Sequence, residues 1–192
     1  MTYRVRAETW VALAIVAWSA AIPPAVLGDG AVVPVSGRRL VLKSSLTNTS
    51  RKSMTIVSRD AAITLGGGNG SNDDPTIYGG GVMLLSPTLI INYNLAAERW
   101  STIGAPGENR GYKYRDVDTS RPIRTATFKN GTIKVKTHSG LLEHVLGTDP
   151  SPVDVLFALG FQENCMRFGG TVAFKAGISY VASNAPPLAA CP

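Results

Sequence analysis

Two aspartates and two tyrosines are the residues most suited to chemistry. Asp116 and Asp118 stand two apart in a strand-like stretch and so share a face. Paired carboxylates on one face are what a glycosidase uses, one as general acid and the other as base or nucleophile. The neighbouring Arg115 and Arg121 offer the plainer alternative of surface ion pairing. Tyr112 and Tyr114 also share a face and suit either a sugar-stacking platform or half-buried strand positions.

A second cluster lies in the glycine-rich stretch 66–74 (GGGNGSNDD), where Asn69, Asn72, Asp73 and Asp74 supply hard oxygen atoms. Ca²⁺ takes about six to eight such ligands, but the bidentate Glu that closes an EF-hand loop is missing, so a solvated turn competes with a calcium site. The stretch lacks the Lys-Ser/Thr ending of a phosphate-binding loop and leads into no predicted helix. His138, Ser139, Glu143 and His144 are the remaining acid-base material. No Gly-x-Ser-x-Gly elbow surrounds any serine, and alternation predicts that both histidines are exposed. With two His and two Cys in all, multi-histidine and four-cysteine metal centres are excluded, and no cofactor is expected.

The elements that must position these residues are strands. Short alternating runs separated by turn clusters predict an all-β chain, a single β-sandwich-like domain over residues 38–181, with an open barrel or a short β-solenoid as the alternative closure of the same strands. The clearest period-2 segment places Leu89, Ile91, Tyr93 and Leu95 on the core side. Asn130-Gly131 predicts a type I′ hairpin that turns Ile133 and Val135 inward and Lys134 and Lys136 to water. Val153, Val155, Phe157 and Leu159 form a further inward row. Gln162-Glu163-Asn164 reads as the connection to a strand opened by Cys165, and Phe161 as a core residue.

Residues 1–28 read as a secretory signal peptide: Arg4 and Arg6, an uncharged stretch over 9–22 whose apolar heart is 11–17, then small residues and Pro23-Pro24. An anchor or buried helix is the competing use of the same segment, although a spanning helix needs about 20 apolar residues. Cleavage is expected between residues 20 and 31, leaving 29–37 as a linker and no membrane span. In an exported chain Cys165 and Cys191, 26 positions apart, are expected to form one disulfide tethering the Pro/Ala-rich tail 182–192; two buried thiols, or a reactive Cys165 without a local partner motif, are the other uses.

Losing Arg4, Arg6 and Glu8 leaves 17 basic against 12 acidic residues, so the positive balance belongs to the mature domain. It is spread over the pairs Arg38/Arg39, Arg51/Lys52, Lys113/Arg115, Arg121/Arg124 and Lys134/Lys136, with no run of the kind that marks a nucleic-acid patch. The expectation is solvated strand faces. A cell-surface polysaccharide or another exported protein is the partner class compatible with that charge, and nucleic acid is not expected.

Taken together, GYKYRD (111–116), FKNGTIKV (128–135), CMRFGGTV (165–172) and SNAPPLAACP (183–192) resemble an exported bacterial β-rich module of uncharacterised function. The resemblance covers residues 38–192 and implies a secreted or periplasmic β module. It brings no catalytic residue with it, and the polar segment 138–144 departs from the pattern. The function expected is that of a non-catalytic secreted binding or structural module; the alternative is a secreted carbohydrate-active enzyme working through Asp116 and Asp118. Asn48, Asn69 and Asn130 each open an Asn-x-Ser/Thr sequon.

Overall fold

Thirteen strands make up about half of the computed structural model, which describes residues 32–45, 48 and 51–191. The segment read as a signal peptide lies outside the described residues. In chain order the strands are β1 (Val32–Pro34), β2 (Gly37–Lys43), β3 (Ser53–Ser58), β4 (Gly80–Ser86), β5 (Leu89–Leu95), β6 (Trp100–Thr102), β7 (Tyr112–Arg115), β8 (Ile123–Lys129), β9 (Thr132–Thr137), β10 (Val153–Leu159), β11 (Gln162–Phe168), β12 (Thr171–Lys175) and β13 (Ser179–Ala185). One helical turn, α1 (Pro75–Tyr78), precedes β4, and a 3-10 turn, Ala97–Arg99, precedes β6.

The strands form a five-stranded sheet ordered β1-β11-β10-β4-β5 and an eight-stranded sheet ordered β12-β13-β2-β3-β9-β8-β7-β6. Their inner faces pack together as an all-β sandwich, with alternate residues of each strand in the core. Leu89, Ile91, Tyr93 and Leu95 on β5, Ile133 and Val135 on β9, and Val155 and Phe157 on β10 are all buried, as the alternation predicts. Phe128 from the larger sheet stacks on Phe157 from the smaller at 5.8 Å between ring centroids. The Tyr180 hydroxyl donates across the sandwich to the Phe168 carbonyl at 2.9 Å.

Several local expectations are corrected. Strand β1 lies inside the expected linker, pairing parallel with Glu163 to Cys165; three residues are too few to show alternation. Strand β13 runs on to Ala185, beyond the expected domain end at 181, its pattern obscured by small residues and by Asn184 at φ 54°. Gln162-Glu163-Asn164 belong to β11 rather than to a connection, because Gly160 at φ 54° closes the turn with Phe161 alone. A side chain at Gly160 would also collide with the Asn72 carbonyl. Phe161 consequently sits half-buried at the hairpin tip, its ring 5.0 Å from that of Tyr78.

The hairpin β8–β9 forms where Asn130-Gly131 places it, with Lys129 opposite Thr132. Only Gly131 adopts positive φ (72°), so the turn departs from type I′. Its tip is docked instead: Leu65 N donates to Asn130 Oδ1 and Gly131 N to the Ile63 carbonyl, and these tertiary bonds override the isolated turn preference.

Candidate functional site

The carboxylates singled out by sequence do not form a dyad. Strand β7 ends at Arg115, so Asp116 and Asp118 lie in the following connection and share no strand face. The Asp116 side chain is fully buried, and both its oxygens are occupied. Oδ1 accepts from Arg99 Nη1 at 2.8 Å and from Asp118 N at 2.9 Å; Oδ2 accepts from the Tyr114 hydroxyl at 3.2 Å and lies 3.8 Å from Arg121 Nε. Arg99 sits in the connection that carries the chain from the five-stranded to the eight-stranded sheet, which makes Asp116 a clasp on that crossover. Asp118 is half-exposed and held below the usual carboxylate range by hydrogen bonds from the Ser120 hydroxyl and amide.

Tyr112 and Tyr114 are fully buried on the inner face, so neither offers a ring to a ligand. Burial, reinforced by the Asp116 charge, pushes Tyr114 up to about 12. Tyr112 is also raised, chiefly by burial, and its hydroxyl donates to Asn69 Oδ1 at 3.2 Å.

The oxygens of Asn69, Asp73 and Asp74 in the glycine-rich stretch are taken up by the loop itself and by neighbouring residues. Asp73 Oδ2 accepts from Gly67 N at 2.9 Å, and Asn69 Oδ1 also accepts from Asn109 Nδ2 at 2.7 Å. Asp74 caps α1 through Thr76 N and accepts from Gly70 N at 2.7 Å. Burial raises Asp74, but the bonds from Gly70 and Thr76 outweigh it and leave the carboxyl below its ordinary value. The stretch therefore leads into a helical turn, contrary to the sequence expectation. Among the described residues no three His, Cys, Asp or Glu side chains gather as a metal site.

His144 is buried rather than exposed, its Nε2–H donating to the Lys43 carbonyl at 2.7 Å. The segment that carries it folds over the sandwich with Leu142 and Leu146 in the core, in place of an alternating strand. His138 is half-buried, with Nε2 3.1 Å from the Asp116 carbonyl. Cys165 and Cys191 are joined, with Cα atoms 5.8 Å apart. Since Asn164 and Met166 point into the sandwich, Cys165 points out, and the tail is tied to the outside of the five-stranded sheet.

The feature that sequence reading missed is the outer face of the eight-stranded sheet. Its strands contain ten Lys or Arg residues, all exposed, and not one Asp or Glu. None of the ten forms an ion pair among the described residues. Eight of the ten lie on alternate strands: Lys175 on β12, Arg38, Arg39 and Lys43 on β2, Lys134 and Lys136 on β9, and Lys113 and Arg115 on β7. Between them β13 and β3 carry no cation and present mainly Ser, Thr and Val, while β8 has Arg124 and Lys129 toward its two ends and Thr125 and Thr127 between them. One register row crosses the whole sheet as Thr171, Ser183, Arg39, Val57, Lys134, Thr127, Lys113 and Ser101. The next carries Lys136, Thr125 and Arg115. No register pair sets two cations opposite each other. The basic pairs were legible in sequence as solvated strand positions, but nothing in the sequence said that they share one surface.

No protein-family model, curated protein or solved structure matches this chain. Its surface chemistry must therefore be read from the residues themselves.

The other outer face, that of the five-stranded sheet, differs throughout. Its strands carry one cation, Arg167, clasped by Asp154 through two bonds of 2.7 and 2.8 Å. Beside this pair lies a groove of about 410 Å³ lined by Gly81, Met83, Leu156, Asn94, Glu163 and Tyr78. Glu163 is half-buried, and burial raises its carboxyl above the ordinary value.

Proposed function

We propose that the protein is a non-catalytic exported module that holds an anionic cell-surface polysaccharide against the outer face of its eight-stranded sheet. The observation that carries this reading is the set of ten exposed strand cations with no acidic residue among them. A surface of this kind concentrates polyanions, and the attraction weakens as salt screens it. The Ser and Thr rows between the cations suit a partner that offers hydroxyls as well as charge. Outward positions on the sheet hold no aromatic ring, which disfavours single-stranded nucleic acid, whose bases stack on such rings.

A non-catalytic role is supported by the engagement of Asp116 in the crossover clasp and of Asp73 and Asp74 in their own loop. Export is supported by the pattern of residues 1–28 and by the Cys165–Cys191 bridge. The test is retention on an immobilised anionic polysaccharide against a neutral dextran matrix of equal density. Salt-dependent retention on the first alone is expected, with most of it lost in Lys134→Gln/Lys136→Gln. Equal elution from both matrices would overturn the reading.

A further inference from the structure

Resting on that reading, we infer that the bound polymer carries one anionic group per disaccharide and lies across the strands, along the row Arg39, Lys134, Lys113. The three residues occupy one register row and are separated by the neutral Val57 and Thr127. Strands in a sheet lie about 4.8 Å apart, so cations on every second strand recur at about 9.5 Å. That interval is of the order of a disaccharide unit in an extended polysaccharide.

A second row, Lys136 and Arg115 with Thr125 between them, repeats the interval two residues further along each strand, about 6.7 Å away. The Thr127 and Thr125 hydroxyls fall where the uncharged sugar of each disaccharide would lie. A polymer with a charge on every sugar would meet a cation at only every second charge and would set the others against Thr and Val. A polymer running along a strand instead would meet Lys134 and Lys136 on β9 or Lys113 and Arg115 on β7 only about 6.7 Å apart, or Arg39 and Lys43 on β2 about 13 Å apart, with no repeat near 9.5 Å. An anionic lipid surface is the poorer partner: the outward positions between the cations offer only short side chains such as Val57 and Val41, with no ring or long aliphatic chain to enter a bilayer.

The experiment compares length-matched oligosaccharides by calorimetry over a salt series. The probes are a hyaluronan decasaccharide, with one carboxylate per disaccharide, and an oligogalacturonate decasaccharide, with one per sugar; phosphatidylserine vesicles form a third arm. The hyaluronan fragment is expected to bind at least tenfold more tightly per charge than the galacturonate. Single variants Arg39→Gln, Lys134→Gln and Lys113→Gln should each lower the slope of log K against log salt by about one. Thr127→Lys, with folding verified by its melting curve, fills the gap between Lys134 and Lys113 and should shift preference toward the galacturonate. Galacturonate binding as tight as hyaluronan in the unaltered protein overturns the spacing inference and leaves the polyanion reading standing. Binding to vesicles alone, or to none of the three, overturns both.

Discussion

The two outer faces of the sandwich obey one packing rule and present opposite surfaces. Both sheets alternate, and both send their apolar set inward, so the core leaves the outward positions free. On the eight-stranded sheet those positions collect cations that form no ion pair among the described residues, set among hydroxyls. On the five-stranded sheet they hold a clasped Asp154–Arg167 pair, an apolar hollow and the disulfide-tied tail. The physical limit on the first face is repulsion. Unit charges one strand spacing apart in water repel by about 0.9 kcal/mol and at two spacings by about 0.4 kcal/mol, so setting a neutral residue opposite each cation in the register roughly halves the penalty per pair. The second face bears no such load, and its single cation is matched locally.

The largest effect expected from testing this contrast is at the seam between the sheets. Asp116→Ala strips Arg99 and Tyr114 of their shared acceptor and should cost about 3–5 kcal/mol in chemical denaturation. A loss below about 1 kcal/mol would contradict the clasp. Next comes the tail: Cys191→Ala opens a 26-residue loop and should cost about 2–4 kcal/mol in urea. Because the tail lies on the five-stranded face, polyanion retention by the folded variant should not move, and a loss of retention would break the division between faces.

Acid should separate the faces too. His144 is held below its ordinary value near 6.5 by burial, partly offset by its bond to the Lys43 carbonyl at the end of β2. The unfolded chain therefore binds the proton more readily. The contribution of a neutral His144 is complete above that ordinary value and is lost as pH falls below it toward the folded value. The urea midpoint should drop between about pH 7.5 and pH 5.5, and His144→Gln should flatten that segment of the curve. A midpoint rising on acidification would contradict the buried placement.

Smaller and opposite in sign are two surface changes. Asp154→Asn, which breaks the clasped pair on the five-stranded face, should lower stability by up to about 1 kcal/mol. Lys134→Gln, which relieves repulsion on the other face, should raise it by a few tenths, about 0.4 kcal/mol. Like signs for the two, read from melting curves in low salt, would erase the electrostatic distinction. The smallest effect is expected from Gly81→Leu. A Cβ there meets only the Tyr93 carbonyl at 3.6 Å and the Ala158 methyl at 4.0 Å, so the groove fills with a stability change within about 0.5 kcal/mol and no change in polyanion retention.

Where neighbours in the chain decide a feature, the sequence carried it. Period-2 runs identified Leu89 to Leu95 and Val153 to Leu159 with the correct inward residues, Asn130-Gly131 marked a hairpin, and the cysteine pair predicted its own bridge. These rest on backbone geometry and on loop closure, which act over a few residues or need only two of them. Misreadings came wherever contacts distant in sequence prevailed. Alternation exposes His144, although its partner carbonyl lies 101 residues away; and of the two uses the sequence offers Asp116, the pairing with Arg121 is present but the surface position is not, because Arg99 and Tyr114 enclose the carboxylate. The basic face is the fullest case. Alternation fixed that Lys113, Arg115, Lys134 and Lys136 point to water, but strand order and register alone made them neighbours of Arg39 and Lys43. Hydrogen-bonded pairing is indifferent to sequence separation, so the charge a surface accumulates is a property of the closed sheet and of no single stretch of chain.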